Sequence, residues 1–377
     1  MNIGIDAINI RSDGGQTHLR EILKFANISS IGETKIYLWC SKENSKLIKK
    51  STQIEIIKLP SITNSWFFGI IWQLFVISSE AKKYHCKVLL NLNGTYLGSF
   101  KNFITIPQNL LPFNLKEASR YGISFQLLKL LFLRLAHKIC LNKANGIIFL
   151  SEYQKNLLSK LISSKNIKKK KLCVIPHAGQ KSDRKKEFKE ISEYSKKNPF
   201  VIGYVSGIEP YKNHELLLKH ILEIKRLGYP IKYKIIGKTG HKKTKLNLLK
   251  LIESIDKDRD WLEWQTNVNY NSIDQIYKNL DLMIFGSTCE SFGIPIAEAI
   301  NSRVPSICSN KDCIKSSFGN SVIYFDPFNK VQTVEIIENL LLSRKLRKAV
   351  SVNSFNKFKD WSWQSVSKNT FDFLMKF

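Results

Sequence analysis

The feature of this chain that most limits its fold is the regular alternation of short apolar segments with longer helical ones. In the first half, apolar runs typical of buried strands lie at 2–6, 35–40, 88–91, 103–107, 146–150 and 172–176. Helical stretches lie between them, for example at 17–25 and 123–142. This alternation predicts parallel sheets covered by helices, and therefore an α/β fold.

The alternation begins again after a polar, lysine-rich segment. Further strands are predicted at 200–205, 233–236, 282–285, 306–308 and 322–324, and a last helix at 364–377. A chain of 377 residues is long enough for about two domains. We expect an N-terminal domain, a linker, a C-terminal domain and a closing helical segment, with bounds at 1–178, 179–198, 199–360 and 361–377.

The charge balance of the chain is strongly basic. Lys and Arg total 59 against 31 Asp and Glu, which gives a formal net charge of +28. A field of this sign attracts phosphates, anionic lipid or nucleic acid. Only 10 of the basic residues are Arg, whereas recognition of base edges prefers the planar guanidinium group. A nucleic-acid-binding protein is therefore an alternative that the scarcity of Arg disfavours.

Cysteine usage and hydropathy predict the compartment. The seven Cys are scattered without a C-x-x-C pair, which is typical of reduced thiols in the cytosol. The opening MNIGIDAINI predicts a strand rather than a signal peptide. The apolar run at 66–77 is too short to span a bilayer. We expect a cytoplasmic protein, either free in the cytosol or peripheral on the inner face of the cytoplasmic membrane.

The stretch STCESFGIPIAEAI, residues 287–300, is the most informative motif. Gly293 permits close approach of a phosphate to the backbone, and a helix beginning near Pro295 directs unpaired N–H groups at an anion. Glu290 and Glu298 can each accept two hydroxyl donors, as a sugar or ribose diol requires. The alternative is that both carboxylates only favour the helix dipole and contact no ligand.

Four other loops follow predicted strands and carry polar candidates. Lys212, in SGIEPYKN, could pair with a departing diphosphate, or it could be one more solvated lysine. Gly14 and Gly15 follow the first strand, where a simple turn is the alternative. Gln108 and Asn109 follow a strand end and are either neutral hydrogen-bonding groups of the cleft or ordinary polar loop residues. His177 also follows a strand, at a position where a cleft residue would lie.

Several other enzyme classes lose their sequence support. The chain has no Gly-x-Ser-x-Gly elbow, Walker loop or Gly-x-Gly-x-x-Gly motif. Its histidines have no metal-ligand spacing. Asp256, Asp258 and Asp260 alternate as in a calcium loop, but the turn glycine and the terminal glutamate of that loop are missing. We expect no metal and no cofactor.

These motifs together resemble glycosyltransferase family 4, whose GT-B fold has two facing Rossmann-like domains with a nucleotide-sugar between them. CESFGIPIAEA is similar to the family's Glu-seven-residues-Glu motif, and GIEPYKN to its EP-x-KN motif. The segments VIPHAG, GIIFLSEY, VIYFDP and WSWQSV also resemble the family. In this fold the last helix crosses back onto the N-terminal domain, which binds the acceptor, whereas the C-terminal domain binds the nucleotide-sugar.

The resemblance implies a role for each matching residue. Glu290 would hold the donor sugar, Lys212 the leaving diphosphate and Glu298 the ribose. The backbone of Ser291, Phe292 and Gly293 would also hold the diphosphate. Gly14 and Gly15 would lie at the opening of the cleft, near the diphosphate and the acceptor. The stretch 265–270, with Val268, would border the base. Gln108, Asn109 and His177 would lie on the acceptor side.

This chain departs from the family pattern at three positions. Gly207 stands where many relatives have an Arg, Tyr211 stands where one branch has an Arg beside the lysine, and Gln108 stands where a His is frequent. Lys212 and helix amides would therefore be the only groups that stabilise the diphosphate.

The reaction implied is a retaining, metal-independent hexosyl transfer from a nucleoside-diphosphate-sugar to a saccharide or lipid-linked hydroxyl. It would serve the biosynthesis of surface polysaccharide such as lipopolysaccharide, O-antigen or capsule. A GT-B sugar-nucleotide epimerase or hydrolase is the alternative within enzymes. The basic, apolar stretch at 123–143 could lie on anionic lipid, or it could be a core helix with a few exposed lysines.

Overall fold

The computed structural model describes residues 1–26, 34–49, 51–182, 186–266, 268 and 272–377. They form two compact units, one of residues 1–177 with 363–377 and one of residues 178–362. The predicted linker at 179–198 thus belongs to the second unit. Its described residues are held there by polar contacts, since Arg347 donates to the carbonyl of Lys189 and the Tyr194 hydroxyl donates to Asp281 Oδ1 at 3.0 Å.

The first unit is built on a seven-stranded sheet. Its strands are β1 (Asn2–Ala7), β2 (Lys35–Cys40), β3 (Ile54–Ile57), β4 (Cys86–Asn91), β5 (Phe103–Thr105), β6 (Gly146–Phe149) and β7 (Lys171–Val174). All neighbours pair in parallel, in the order β3-β2-β1-β4-β5-β6-β7. The order reverses direction between β1 and β4, which makes their carboxyl ends the switch point of this sheet.

Among the described residues of the first unit, eight helices precede or connect these strands. They are α1 (Asp13–Lys24), α2 (Lys42–Ser45), α3 (Trp66–Phe75), α4 (Ile77–Lys83), α5 (Leu115–Ala118), α6 (Phe125–Lys143), α7 (Glu152–Ser159) and α8 (Ser164–Ile167). The central strands are almost wholly buried; β4, for example, has one exposed residue and β6 has none. Strands that are buried on both faces read as continuous apolar runs, and this is why the sequence predicts them.

The second unit is built on a six-stranded parallel sheet. Its strands are β8 (Phe200–Val205), β9 (Ile231–Ile236), β10 (Leu262–Gln265), β11 (Leu282–Phe285), β12 (Ser306–Ser309) and β13 (Ile323–Phe325). The order is β10-β9-β8-β11-β12-β13, so the switch point lies between β8 and β11. Its helices are α9 (His214–Arg226), α10 (Lys242–Ile255), α11 (Ile273–Lys278), α12 (Ile294–Asn301), α13 (Asp312–Phe318), α14 (Lys330–Leu342) and α15 (Arg344–Phe358).

The last helix, α16 (Trp363–Leu374), belongs to the first unit. It packs against α1, and the buried Ser367 hydroxyl donates to the carbonyl of Ile22 at 2.7 Å. Asn102 Nδ2 donates to the carbonyl of Phe377 at 3.1 Å. The chain therefore returns to its N-terminal unit.

Candidate functional site

The two loops that carry the principal motifs lie together at the switch point of the second sheet. One follows β8 at 206–213 and the other follows β11 at 286–293. Asn213 Nδ2 donates to the carbonyl of Gly286 at 2.7 Å, and the backbone N–H of Thr288 donates to the carbonyl of Tyr211 at 3.0 Å. These bonds fix the two loops to each other at the place where open α/β sheets bind ligands.

Lys212 and Glu290 form a direct ion pair between these loops. Their side chains are only 12% and 15% exposed. The Lys212 ammonium also lies 5.1 Å from the ring centroid of Tyr211 and 5.4 Å from that of Phe285. The buried Tyr204 hydroxyl donates to the carbonyl of Lys212 at 2.7 Å, which fixes the backbone beneath the pair. The structure therefore brings together two residues that are 78 positions apart in sequence.

His214 supports this corner of the site and has no sequence motif that would reveal it. Its ring stacks on Tyr204, with centroids 4.2 Å apart and planes at 11°. Burial, together with the nearby charge of Lys212, lowers the pKa of His214 to about 3. The ring is therefore neutral and packs as an aromatic group. It follows Asn213, which adopts the left-handed conformation (φ 59°) that ends the Pro210–Lys212 turn and begins α9.

The start of α12 has the geometry that the sequence predicts for an anion site, with one difference. Gly293 has φ 105° and precedes the helix, whose first residue is Ile294, so Pro295 is second rather than first. A side chain at Gly293 would be strained by this φ, and its Cβ would lie 3.1 Å from Ile296 Cδ1. Pro295 has no N–H, and the Ile296 N–H donates to the Gly293 carbonyl at 3.0 Å, so the N–H groups of Gly293 and Ile294, at the start of α12, are the ones that can receive an anion.

Ser291 and Phe292 precede Gly293 in the same turn, and both are buried. The Phe292 ring packs between Phe318 and Trp361, with both centroid distances 5.2 Å. This ring belongs to the core, so Phe292 can contribute to a ligand site only through its backbone.

Glu298 is the fifth residue of α12 and is 5% exposed. Tyr277 of α11 donates its hydroxyl to Glu298 Oε2 at 2.9 Å. The segment after His177 crosses this part of α12 closely, since a Cβ at Gly179 would lie 2.5 Å from the backbone nitrogen of Glu298. Asn301 Nδ2 donates to the carbonyl of Gly179 at 2.9 Å. Tyr277 and Gly179 thus hold Glu298 in place, and neither was identified from the sequence.

The predicted base-bordering stretch is described only in part. Val268 is half-buried, whereas residues 267, 269 and 270 lie outside the described part of the chain. Gln265 ends β10, next to Trp264, whose indole N–H donates to the carbonyl of Gly237 at 3.1 Å.

In the first unit, Gly14 and Gly15 lie inside α1 rather than in a turn before it. Ser12 is the N-cap and accepts from the Gly15 N–H at 3.2 Å, which lets the helix begin at Asp13. The expectation of a glycine turn between strand and helix is therefore wrong. A Cβ at Gly15 would lie 3.5 Å from Gln108 Oε1, so this glycine permits the side chain of Gln108 to approach the helix.

Gln108 belongs to a buried cluster at the carboxyl edge of the first sheet. Its Nε2 lies 2.9 Å from His18 Nδ1 and donates to the carbonyl of Leu92 at 2.7 Å. His18 and His177 have ring centroids 4.4 Å apart, and Trp363 of α16 lies 5.5 Å from His177. Burial lowers the pKa of His18 to about 3 and that of His177 well below its ordinary value. Both imidazoles are therefore neutral.

Asn109, next to Gln108, has a structural role in this unit. Its side chain is exposed, and Oδ1 accepts from the backbone N–H of Leu111 at 3.0 Å. This short-range bond shapes the turn that follows β5.

Beneath this edge lies a buried polar network that the sequence analysis missed. The Asp6 carboxylate, at the end of β1, accepts from Asn91 Nδ2 at 2.9 Å and from Gln73 Nε2 at 2.6 Å. Thr105 donates to Asn91 Oδ1 at 3.0 Å. Burial raises the pKa of Asp6 to about 6, although these hydrogen bonds oppose the shift. The network ties the ends of three adjacent strands together.

The described residues contain neither a metal-binding cluster nor a membrane-spanning helix. No group of three or more His, Cys, Asp or Glu side chains among them is arranged to hold a metal ion. Within the described ranges, no helix has the length and apolar character needed to cross a membrane.

The chain is similar in sequence to bacterial enzymes of surface polysaccharides. It is 25% identical over 171 residues to the O-antigen chain mannosyltransferase B of Escherichia coli, covering 44% of this chain and 43% of that protein. It is 27% identical over 267 residues to the capsular polysaccharide biosynthesis glycosyltransferase CapM of Staphylococcus aureus, covering 64% of this chain and 66% of that protein. The chain thus matches less than half the length of the first of these relatives.

The fold is similar to that of solved structures. Anabaena Alr3699/HepE, crystallised in complex with UDP and glucose, matches with a TM-score of 0.72 at 14% identity over 100% of this chain and 99% of that one. The likeness confirms the predicted fold class, two Rossmann-like parallel-sheet domains of the GT-B type. Residues 183–357, which include Lys212, Glu290 and Glu298, match the family described as glycosyl transferases group 1.

Proposed function

We propose that this chain is a retaining glycosyltransferase that moves a sugar from a nucleoside-diphosphate-sugar to a saccharide or lipid-linked hydroxyl in surface polysaccharide biosynthesis. The observation that carries the proposal is the Lys212–Glu290 pair at the switch point between β8 and β11. It lies within the stretch that matches glycosyl transferases group 1. The comparisons do not favour the epimerase, hydrolase or nucleic-acid alternatives.

The donor would bind to the second unit through groups already held in place. Lys212 and the first N–H groups of α12 would receive the diphosphate, because both present positive charge or polarity on adjoining loops. Glu298, oriented by Tyr277, would accept hydroxyl donors of the ribose. Val268 would border the base.

Glu290 would hold hydroxyls of the donor sugar. Its carboxylate pairs with Lys212, so donor binding would replace this ion pair by one between the ammonium and the phosphate and by hydrogen bonds between the carboxylate and the sugar hydroxyls. The ammonium would then face phosphate, and the carboxylate would face sugar hydroxyls. The exchange retains a partner for each partly buried charge, which limits the cost of desolvation.

The chemical step would resemble departure of a diphosphate from an oxocarbenium-like sugar. Lys212 and the α12 amides would stabilise the negative charge that develops on the leaving oxygen, an effect worth roughly 10²–10³ in rate for a single donor. The acceptor would attack the face from which the diphosphate leaves, so the anomeric configuration would be retained. The leaving phosphate would accept the acceptor's proton, and no metal would be required.

The acceptor would bind to the first unit. Gln108 and His177 would contribute neutral polar groups, with Asn109 on the exposed turn beside them. Gly14 and Gly15, in the first turn of α1, would permit close approach of the acceptor or the diphosphate. The relatives' roles in O-antigen and capsule support a saccharide acceptor, and a lipid-linked one would place the enzyme at the inner face of the cytoplasmic membrane.

The test is transfer from a panel of nucleotide-sugars to lipid-linked and free saccharides, with the product anomer assigned by NMR. We expect a product only when an acceptor is present, with retained configuration and in the presence of EDTA. An inverted product, or consumption of the donor without acceptor at the same rate, would contradict the proposal. Loss of activity in EDTA would contradict only the proposed metal independence, not the proposed sugar transfer.

A further inference from the structure

The first unit has a large apolar surface on the outside of α3 and α6. On α6 the exposed apolar side chains follow a spacing of three and four residues, which places them on one stripe; they are Phe125, Leu128, Phe132, Leu135 and Ile139. Leu128 and Leu135 are 65% and 57% exposed. The opposite face of α6 is buried in the unit, through residues such as Leu130, Ala136 and Cys140. This helix is therefore apolar on both faces.

The exposed stripe of α6 continues onto α3. Trp66, at the start of α3, lies 6.3 Å from Phe125 and 6.2 Å from Phe132, measured between ring centroids. Beside it, Phe67 and Phe68 are 53% and 41% exposed. Large exposed side chains from two helices thus form one continuous patch, here called the α3–α6 surface. Contiguous apolar patches of this kind mark contact sites in soluble proteins.

The charges on this surface have one sign. The segments 61–75 and 121–143 contain no acidic residue, whereas the second has four basic ones; they are Lys129, Arg134, Lys138 and Lys143. The Lys129 ammonium lies 5.0 Å above the Trp66 ring, at the centre of the patch. Lys138 and Lys143 are exposed along the same helix.

We propose that the α3–α6 surface docks on an anionic phospholipid bilayer, with α6 lying in the plane of the interface. The proposal builds on the membrane location inferred for the enzyme and identifies the residues that make the contact. An exposed apolar stripe flanked by lysines and arginines matches both layers of such an interface, acyl chains and phosphate headgroups. Aromatic rings such as Trp66 are favoured at the boundary between the two.

Charge complementarity selects lipid over a second copy of this chain. Two copies that met through this surface would place cations against cations, because neither segment has an acid to pair with them. An anionic bilayer instead attracts each lysine near its surface. A helix of 19 residues is about 28 Å long, so α6 presents an extended line of contact.

The experiment is vesicle flotation of the full chain at about 0.1 M salt. We expect it to float with phosphatidylcholine vesicles that contain phosphatidylglycerol and to float less with phosphatidylcholine alone. Leu128→Ser with Leu135→Ser should lower the partition coefficient at least tenfold. The matched control is Leu227→Ser with Leu246→Ser, two similarly exposed leucines of the second unit, and it should float as the wild type does.

A second pair of variants tests the charges. Lys138→Gln with Lys143→Gln should lower partitioning about fivefold per lysine. Lys242→Gln with Lys243→Gln, which removes the same charge from α10, should have a much smaller effect. We expect each variant to be folded, because these side chains are exposed and few contacts are lost. Thermal unfolding checks this for each variant.

Three results would overturn the proposal. One is a wild type that stays out of the anionic lipid fraction. The second is an equal loss of flotation in the patch variants and their controls. The third is a wild-type dimer, seen by light scattering, that the leucine pair abolishes. Flotation requires no sugar transfer, so a protein that floats but transfers nothing refutes only the proposed activity.

Discussion

Replacement of Lys212 by alanine tests the candidate site most sharply. The variant removes an ammonium that is 12% exposed and leaves Glu290, 15% exposed, without its cation. For transfer, the magnitude follows from Coulomb's law between the ammonium and a diphosphate oxygen at ~4 Å. The interaction is worth about 1 kcal/mol at a dielectric constant of 80 and about 4 kcal/mol at 20. These limits correspond to losses of turnover of roughly fivefold and roughly 10³-fold. The low exposure of the Lys212 side chain favours the upper part of this range.

Stability should respond differently from activity. An unpaired carboxylate at this depth costs about 1–3 kcal/mol, between the values for surface and buried pairs. In a unit of this size the loss lowers the melting temperature by roughly 2–10 °C. Removing Glu290 as well, in Lys212→Ala with Glu290→Ala, should recover much of this stability because no uncompensated charge remains. Activity should not recover, because both groups would act on the donor.

The assay is steady-state transfer combined with thermal unfolding of the two single variants and the double variant. Lys219→Ala is the control, since Lys219 is an exposed lysine on α9, the helix that begins two residues after Lys212. We expect it to retain wild-type turnover and melting temperature. Turnover by the Lys212→Ala enzyme within twofold of the wild type would refute the assignment of Lys212 to the diphosphate.

Three further perturbations follow from the geometry. Glu298→Gln should weaken donor binding at least tenfold by calorimetry, because a charged acceptor beside Tyr277 is lost; unchanged affinity would remove Glu298 from the ribose site. Gly179→Ala should lower the melting temperature and donor affinity together, because its Cβ would lie 2.4 Å from the Ala297 backbone, whereas Gly240→Ala, whose Cβ would meet only the Glu209 side chain at 3.4 Å, should be tolerated. The folded-state pKa of His214, about 3, lies below its unfolded value, so stability is full above pH ~6.5 and is lost as pH falls. His214→Phe should therefore reduce the loss of unfolding free energy between pH 7.5 and 5.5 by about 1.4 kcal/mol, measured by urea denaturation, and an unchanged pH dependence would contradict this.

The two described strands that the sequence misses, β3 and β10, lie at sheet edges, although it does predict the other two edge strands, β7 and β13. β3 and β10 end the two sheets, and each has at most one fully buried residue. Their sequences, IEII and LEWQ, include a glutamate that an edge position tolerates. A central strand is buried on both faces and reads as an apolar run, whereas an edge strand has no such constraint.

Some residues of the candidate site could likewise be predicted from the sequence, and others could not. Lys212, Glu290 and Gly293 could be identified because each follows a predicted strand or precedes a predicted helix, so local sequence fixes their place. Tyr277 and His214 act through contacts that no local pattern encodes. The first reaches Glu298 from another helix, and the second stacks on Tyr204, whose hydroxyl donates to the Lys212 carbonyl. The polar composition of the segment 179–198 predicted a linker. Its described residues instead pack on the second unit through backbone carbonyls and a tyrosine, features that composition does not report.

The most direct test of the central claim is calorimetric titration with nucleoside diphosphates and their sugars. The wild type should bind at least one of them. The Lys212→Ala and Glu298→Gln variants should each bind it at least tenfold more weakly while remaining folded. If both variants bound the same ligand with wild-type affinity, the donor would not be held at the junction of β8 and β11, and the account would be wrong.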